Sequence, residues 1–383
     1  MADFPLPPGS TIGVLGGGQL GRMLAMAAAR LGFDVAILTP SADSPASRVA
    51  ARTIAAPYDD AAALSELASL ADVITFEFEN VPAAALEILA GMGAKIAPDA
   101  RALAIAQDRF EEKTFLNAAG APTVAFAAVD SLEGLHAAFR GLGAPLLLKT
   151  RHGGYDGKGQ AWVMRPEEGE AALAAIGHRP AVAEAPADFR RELAIIAARG
   201  RDGEVALYPL TESHHENGIL RRTVAPAGAT PRIAAEAEKI AATVLSALDY
   251  VGVMGVELFE RDDGALLVNE FAPRVHNTGH WTLDGCEVDQ FEQHIRAIAR
   301  WPLGPTAAIA HVEMTNLLGD EAERWALLVR EPETRLWLYG KREARAGRKM
   351  GHVNRLSPLE RQETGAGFPS VDELVRPAPR GSA

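Results

Sequence analysis

Residues 253–271 read Val253-Met254-Gly255-Val256-Glu257-Leu258-Phe259, then Glu260-Arg261-Asp262-Asp263-Gly264, then Ala265-Leu266-Leu267-Val268-Asn269-Glu270-Phe271. Two apolar runs flank Asp263-Gly264, a strong short-range signal for a two-residue hairpin turn. That turn sets Glu257 directly opposite Glu270. Like charges in this relation destabilise a sheet, and an apolar setting makes them worse. A divalent cation between them relieves the repulsion, and oxygen ligands beside a triphosphate favour Mg²⁺. The alternative is a pair splayed to solvent. Strand alternation carries Arg274 to the side of Glu270.

Upstream, Pro145-Leu146-Leu147-Leu148-Lys149 is an apolar strand ending on a cation, followed by the nine residues 151–159 with four glycines. The run His152-Gly153-Gly154-Tyr155-Asp156-Gly157-Lys158-Gly159 lacks the Ser or Thr that follows Gly-Lys in a P-loop. It suits a mobile lid whose N–H groups fold over a triphosphate, with Lys158 moving with the loop and Lys149 fixed beneath it. A plain glycine-rich hairpin is the alternative.

At the amino end, Ser10–Leu15 reads as a strand, Gly16-Gly17-Gly18-Gln19-Leu20-Gly21 as a glycine turn, and Gln19–Leu31 as a helix. Strands follow at Phe33–Leu38 and Asp72–Phe76, an alternation that predicts a doubly wound parallel sheet. Gly16, Gly18 and Gly21 match a dinucleotide fingerprint, which predicts a phosphate-binding turn; a purely structural turn stays open. The NAD form wants a carboxylate after the second strand, where Thr39-Pro40 stands instead. Glu77 and Glu79 follow the later strand at its carboxyl end, either facing a ligand or as a solvated strand end.

Further helices are predicted at Gln107–Ala119 and about Ala234–Leu248. Strands are predicted at Ala161–Met164, Ala181–Glu184, Glu192–Ala197, Val205–Leu210, Gly252–Phe259 and around Leu336–Tyr339. Pro302 and Pro305 suggest a linker, and the tail from Arg376 a frayed end.

The chain has 383 residues with 38 Lys+Arg against 50 Asp+Glu, a net charge of −12. That opposes duplex nucleic acid or an anionic membrane as the main partner. Lone Cys286 rules out an intrachain disulfide framework. No signal-peptide pattern or membrane-length apolar run stands out, so a cytoplasmic protein of two to three domains is expected.

Taken together, residues 13–24 (GVLGGGQLGRML), 75–82 (TFEFENVP), 107–109 (QDR), 153–160 (GGYDGKGQ), 191–196 (RELAII), 208–220 (YPLTESHHENGIL), 250–259 (YVGVMGVELF), 269–282 (NEFAPRVHNTGHWT) and 347–352 (GRKMGH) resemble the ATP-grasp superfamily. Within it they resemble the N5-carboxyaminoimidazole ribonucleotide synthase family. The resemblance spans nearly the whole chain. It implies an ATP-grasp fold, α/β and α+β, in three parts. These are an N-terminal doubly wound domain over 1–105, a central ATP-grasp region over 106–300 with a small lid subdomain at about 120–185, and a small β-rich C-terminal domain over 301–383.

The resemblance also implies a reaction: ATP phosphorylates bicarbonate to carboxyphosphate, and 5-aminoimidazole ribonucleotide (AIR) is carboxylated, a ligase step of purine biosynthesis. By the same resemblance Arg109, Lys149, Gly154, Tyr155, Asp156, Gly157, Lys158, Gly159, Gln160, Glu184, Ala185, Pro186, Ala187, Glu192, His215, Asn269 and Glu270 surround ATP. Glu257 and Glu270 hold Mg²⁺. Gly18, Gln19, Leu20, Glu77, Tyr155, Asp156, Arg274, His276, Asn277, Lys341 and Arg348 face AIR and bicarbonate, with Arg274, His276, Lys341 and Arg348 catalytic. Pro186 departs from the adenine-hinge pattern because it has no N–H. A homodimer is implied as well.

Taken singly, His276 and His280 are open to a structural reading, residues 345–349 to a solvated basic turn, and Arg221-Arg222 to an exposed cationic strand end. The rival functions are another ATP-grasp ligase such as the ATP-dependent glycinamide ribonucleotide formyltransferase, an NAD(P)-dependent oxidoreductase, and a catalytically silent nucleotide-binding protein.

Overall fold

The computed structural model describes residues 5–154 and 157–359. Expectations about Tyr155, Asp156 and the tail from Arg376 lie outside the described residues. The amino-terminal unit runs β1 (Thr11–Leu15), α1 (Gln19–Arg30), β2 (Asp34–Thr39), β3 (Arg52–Ala55), α2 (Ala61–Leu70), β4 (Val73–Phe76) and α3 (Ala83–Gly91). Its sheet is parallel, in the order β3-β2-β1-β4. The strands are short and apolar because both faces are covered. Strand order reverses at β1, so the carboxyl ends of β1 and β4 form the crevice where open α/β sheets take ligands.

Two helices follow, α4 (Ala100–Gln107) and α5 (Arg109–Ala119), where one helix from Gln107 is predicted. The residue that divides them is Asp108, whose carboxylate accepts the Phe110 N–H at 2.9 Å and caps α5. Such a cap stabilises a helix by ~1 kcal/mol. Gly120, at φ +87°, stops α5 in the left-handed conformation.

Next comes a four-stranded antiparallel sheet of β5 (Phe126–Val129), β6 (Leu146–Thr150), β7 (Gln160–Val163) and β8 (Ala181–Glu184), in the order β5-β8-β6-β7. Helices α6 (Leu132–Leu142) and α7 (Gly169–Ala175) cover it, enclosing Val129, Leu135, Phe139, Leu148 and Val163 in a core of its own. The glycine loop joins β6 to β7.

The largest sheet contains β9 (Arg191–Arg199), β10 (Val205–Leu207), β11 (Thr211–Glu216), β12 (Ile219–Ala225), β13 (Gly252–Glu260), β14 (Leu266–Ala272), β15 (His311–Leu318), β16 (Thr334–Leu338) and β17 (Lys349–Ser357). Its order is β14-β13-β9-β11-β12-β15-β17-β16, with β10 paired to β9. The carboxyl-terminal β-rich part therefore extends the central sheet through the β12–β15 pairing; the Pro302–Pro305 stretch leads into this shared sheet.

Alternation sorts the faces of the central sheet. Leu193, Ile195 and Ala197 of β9 and Met254, Val256 and Leu258 of β13 pack under α8 (Pro231–Ala247). Ile196, Ala198 and Val253 join the opposite layer, with Phe291 and Ile295 of α10 (Gln290–Ile298) and Leu20, Met23 and Leu24 of α1. Glu257 has the parity of Val253, so it lies on the face turned to the amino-terminal unit. Arg30 of α1 adds a pairing with Glu292 of α10 at 2.8 Å. Arg221 and Arg222 are not an exposed strand end: they lie within β12, Arg221 gripping Glu321 at 2.6 Å and Arg222 pairing with Glu313 at 2.9 Å. Among the described residues no helix is long and apolar enough to cross a membrane.

Candidate active site

Glu257 and Glu270 are register partners in the β13–β14 ladder, as the hairpin predicts, but two offsets bring them there. The turn is a three-residue loop, not the two-residue turn expected. Arg261 N–H donates to Ala265 O at 3.0 Å, Gly264 N–H to Arg261 O at 2.8 Å, and Gly264 takes φ +75°. Leu258 accordingly pairs with Val268. One residue further the ladder shifts, Glu257 pairing with Glu270 and leaving Asn269 as the extra residue of a bulge. Without that bulge Glu270 would follow Leu266 and Val268 into the apolar layer beneath α8; with it, Phe271 takes that place.

The electrostatics of the pair are unequal. Burial and the facing Glu270 push the Glu257 carboxyl up. Burial also acts against the Glu270 charge, but the Arg109 guanidinium and then Lys149 outweigh it and hold Glu270 low. Arg109 Nη1 lies 2.7 Å from Glu270 Oε2, and its Nη2 donates to Gly154 O at 3.2 Å. On the Glu257 side the His215 and Lys349 charges lower the carboxyl without offsetting burial and Glu270, so the pair suits a cation. Among the described residues no cluster of three or more His, Cys, Asp or Glu offers a complete metal cage. That donor chemistry suits Mg²⁺ completed by phosphate and water.

Beside this pair a second cluster is built from three elements. Lys149, one residue before the end of β6, and Lys113, on α5, both reach Glu184 at the end of β8, at 2.8 and 3.1 Å. Burial pulls the Lys149 ammonium down, against the charge of Glu184, so its positive charge is held in a low-dielectric place where it acts strongly. Across the sheet, His215 Nδ1 of β11 lies 2.8 Å from Glu192 Oε2 of β9.

The glycine loop folds back on itself above this cluster. A Cβ on Gly159 (φ +72°) would stand 2.7 Å from Thr150 Oγ1, and one on Gly154 would stand 3.0 Å from Lys158 O. Gly157 lies against the Asn217-Gly218 turn between β11 and β12, and Lys158 is exposed. Gln160 pairs with Lys149 along β6–β7 but is itself exposed. At the hinge, Ala185 spends its N–H on Ala125 O at 2.9 Å and Pro186 has none, so an N–H contact to a base falls to Ala187. Phe189 and Phe259 stack there at 4.4 Å.

The amino-terminal glycine turn corrects its expectation. Glu77, buried at the end of β4, accepts the Gly18 N–H at 2.8 Å and the Gly21 N–H at 3.1 Å. A Cβ at Gly16 would stand 2.5 Å from Glu77 Cγ, and one at Gly18 2.8 Å from its Oε1. The fingerprint glycines make room for a carboxylate of the chain itself. A phosphate at this helix start would have to displace it, and the NAD reading loses its basis. Burial pushes the Glu77 carboxyl up, while Gly18, Gly21, Arg274 and Lys341 pull the other way. Gln19 and Leu20 open α1 beside it.

Arg274 lies beyond the end of β14, and its guanidinium pairs with Glu79, joining the central sheet to the amino-terminal crevice. His276 Nε2 is 3.6 Å from Glu257 Oε1, and its Nδ1 lies 2.8 Å from Thr278 Oγ1. Burial and the nearby Arg274 hold the His276 imidazole neutral, well below its usual range. Asn277 exchanges amide hydrogen bonds with buried Asn316 at 3.1 and 2.8 Å. Lys341 donates to Lys349 O at 2.6 Å and sits over the Tyr339 ring. Arg348, in the same loop, donates to Glu343 O at 2.9 Å. His280 is a core histidine, 1% exposed and 3.1 Å from the Gln290 amide.

Three residues outside the expected set belong to this neighbourhood: Glu112, Lys113 and Lys349. Lys113 stands four residues after Arg109 on one helix face, a spacing legible in the sequence. Burial and the charge of Glu270 push the Glu112 carboxyl up to about 8, while the Lys349 charge reaches Glu257, His215 and His276. Lys349 falls in the basic run 345–349 already marked in the sequence; for Glu112 no local pattern marks the role.

A four-stranded antiparallel sheet whose Lys149 and Glu184 meet Lys113 of α5, beside a central sheet carrying opposed carboxylates, is the architecture of ATP-grasp carbon–nitrogen ligases, and this chain is one. The ATP-grasp domain profile matches residues 114–291, the ribonucleotide synthetase pre-ATP-grasp profile residues 10–107, and the phosphoribosylaminoimidazole carboxylase C-terminal profile residues 313–362. The N5-carboxyaminoimidazole ribonucleotide synthase of Brucella melitensis is 52% identical over 360 residues, 94% of this chain and 99% of that one. A solved ADP complex of an N5-carboxyaminoimidazole ribonucleotide synthetase superposes with a TM-score of 0.89 at 40% identity, covering 92% and 94% of the two chains. The Aspergillus clavatus enzyme, solved with ADP and 5-aminoimidazole ribonucleotide, gives 0.86 at 34% identity over 92% and 94%. The chain belongs to the N5-carboxyaminoimidazole ribonucleotide synthase family.

Proposed function

We propose that this enzyme joins bicarbonate to the 5-amino group of AIR at the expense of ATP, giving N5-carboxyaminoimidazole ribonucleotide, ADP and phosphate in purine biosynthesis. The observation that carries the reading is the opposed pair Glu257–Glu270, flanked by Arg109 and Lys149 beneath the glycine loop. Membership of the family, whose solved members include complexes with ADP and AIR, supports the substrates.

In this reading Arg109, Lys149 and the loop Gly154–Gln160, including Tyr155 and Asp156, surround the triphosphate, with Glu184, Ala185, Pro186, Ala187, Glu192, His215 and Asn269. Glu257 and Glu270 would hold Mg²⁺, which when bound supplies charge neutralisation at the transferring phosphoryl group. A bicarbonate oxygen attacks the γ-phosphorus and ADP leaves; the AIR amine then attacks the carboxyl carbon, phosphate departs, and the amine gives up a proton. Arg274, Lys341 and Arg348 provide fixed positive charge for carboxyphosphate and the ribonucleotide phosphate. Neutral His276 is suited to accept the proton, and Gly18, Gln19, Leu20, Glu77 and Asn277 line the AIR side. Loop closure excludes the water that would hydrolyse carboxyphosphate. We also propose a cytoplasmic homodimer.

The test measures ADP release with AIR and bicarbonate each omitted in turn. The reading expects full activity only with both. An equal rate without AIR means idle hydrolysis, and activity with glycinamide ribonucleotide and formate would favour the formyltransferase reading instead.

A further inference from the structure

Helix α5 reaches the bulged strand with two successive residues. Glu112 Oε1 accepts the Phe271 N–H at 2.7 Å, and Lys113 Nζ donates to Asn269 O at 3.2 Å. These contacts grip the backbone on either side of Glu270. Both side chains are buried, 2% and 1% exposed, so water does not readily replace either partner. Asn269 is the extra residue of the bulge, and the bulge alone turns Glu270 out of the layer beneath α8. Lys113 also lies 3.1 Å from Glu184, tying the end of β8 in the lid sheet to the same stretch of β14.

We propose that Glu112 and Lys113 are positioning residues for Glu270, holding the β14 bulge in the geometry that sets Glu270 opposite Glu257. The proposal rests on reading those two glutamates as the cation ligands. Slipping the strand by one residue would reverse its faces and bury the Glu270 carboxylate against α8, so the bulge is worth an external clamp. Glu112 and Lys113 act through the backbone of β14.

The test uses the intact chain with Mn²⁺ and ADP as probes, reading Mn²⁺ binding by electron paramagnetic resonance and metal-free ADP binding by calorimetry. Lys113→Met and Glu112→Leu should each weaken Mn²⁺ binding about tenfold or more, as outer partners of metal ligands do. Metal-free ADP affinity should change less than about threefold in Glu112→Leu, since that contact acts on the cation ligand; Lys113→Met also takes a partner from Glu184 of the nucleotide set, so its readout is Mn²⁺ binding. Glu112→Gln, which keeps an acceptor oxygen, should recover the Mn²⁺ affinity. Thermal melts identify variants that fold, and if Glu112→Leu does not, Lys113→Met decides. Unchanged Mn²⁺ affinity in folded Lys113→Met overturns the clamp. Failure of the underlying reading is distinguishable: Glu257→Gln would then bind Mn²⁺ and ADP as the wild type does.

Discussion

Arg109 and Glu270 meet at 2.7 Å, joining the first residue of α5 to a carboxylate on β14. The same guanidinium reaches Gly154 O in the glycine loop, so one side chain ties the lid loop to the carboxylate pair. Arg109→Lys keeps the charge but loses the fork that serves both partners. Turnover in steady-state ADP release should fall on the order of a hundredfold, with circular dichroism unchanged. Near-normal turnover in Arg109→Lys would mean that charge without geometry suffices.

Lys149 and Glu270 are expected to matter through charge at the transferring phosphoryl group. Lys149→Ala or Glu270→Gln should each lower turnover on the order of a hundredfold or more. Normal ATP turnover in both variants would contradict the phosphoryl-transfer assignment.

The loop glycines make a conformational prediction. Gly159→Ala meets both a positive φ and a contact at 2.7 Å, so the loop must move. KM for ATP should rise about tenfold, because the proposed lid contacts to the phosphates are disturbed, while the melting temperature holds. Gly91→Ala, in α3 with open space around the new methyl, is the control: it should stabilise by ~0.5–1 kcal/mol. Equal KM values in the two variants would remove the loop from nucleotide binding.

Glu257 makes a pH prediction whose sign is fixed. Burial and Glu270 raise its folded pKa from 4.5 to about 7, so the folded chain holds a proton that the unfolded chain has released. Without divalent cation, its contribution to stability should therefore fall as pH rises through that window, while the buried neutral His276, His280, His294 and His352 contribute with the opposite sign. Glu112, raised to about 8, contributes with the same sign as Glu257. The lowered Glu270 acts below that window, its contribution being lost in acid. Urea melts of the metal-free chain from pH 5 to 8, wild type against Glu257→Gln, should show a stability difference that falls with pH. A difference that stays constant with pH would refute the raised Glu257 carboxyl.

Glu77 is predicted to hold the amino-terminal turn. Glu77→Ala leaves the Gly18 and Gly21 N–H groups without their partner and should cost about 1–3 kcal/mol in a denaturant melt. A variant as stable as the wild type would show that the turn stands by itself.

Much of the fold and site is legible in the sequence, though not always for the physical reason that the local pattern suggests. The Glu257–Glu270 pairing follows from a two-residue turn on paper; in the molecule a three-residue turn and a one-residue bulge cancel. Local propensity carries no trace of the bulge, because the contacts that hold it come from α5, more than 150 positions away. Gly16, Gly18 and Gly21 read as a tight turn, which they are, but their partner Glu77 lies 59 residues from Gly18. Long-range packing of this kind has no local signature. The same holds for β15, which extends the central sheet by pairing with β12 across the whole of α8, β13 and β14.

The central claim is that bicarbonate is activated by phosphoryl transfer before it meets AIR. Uniformly ¹⁸O-labelled bicarbonate, with AIR and ATP present, tests it through mass analysis of the released phosphate. The account predicts one ¹⁸O in each phosphate, carried over from the oxygen that attacked the γ-phosphorus; phosphate free of label would contradict it.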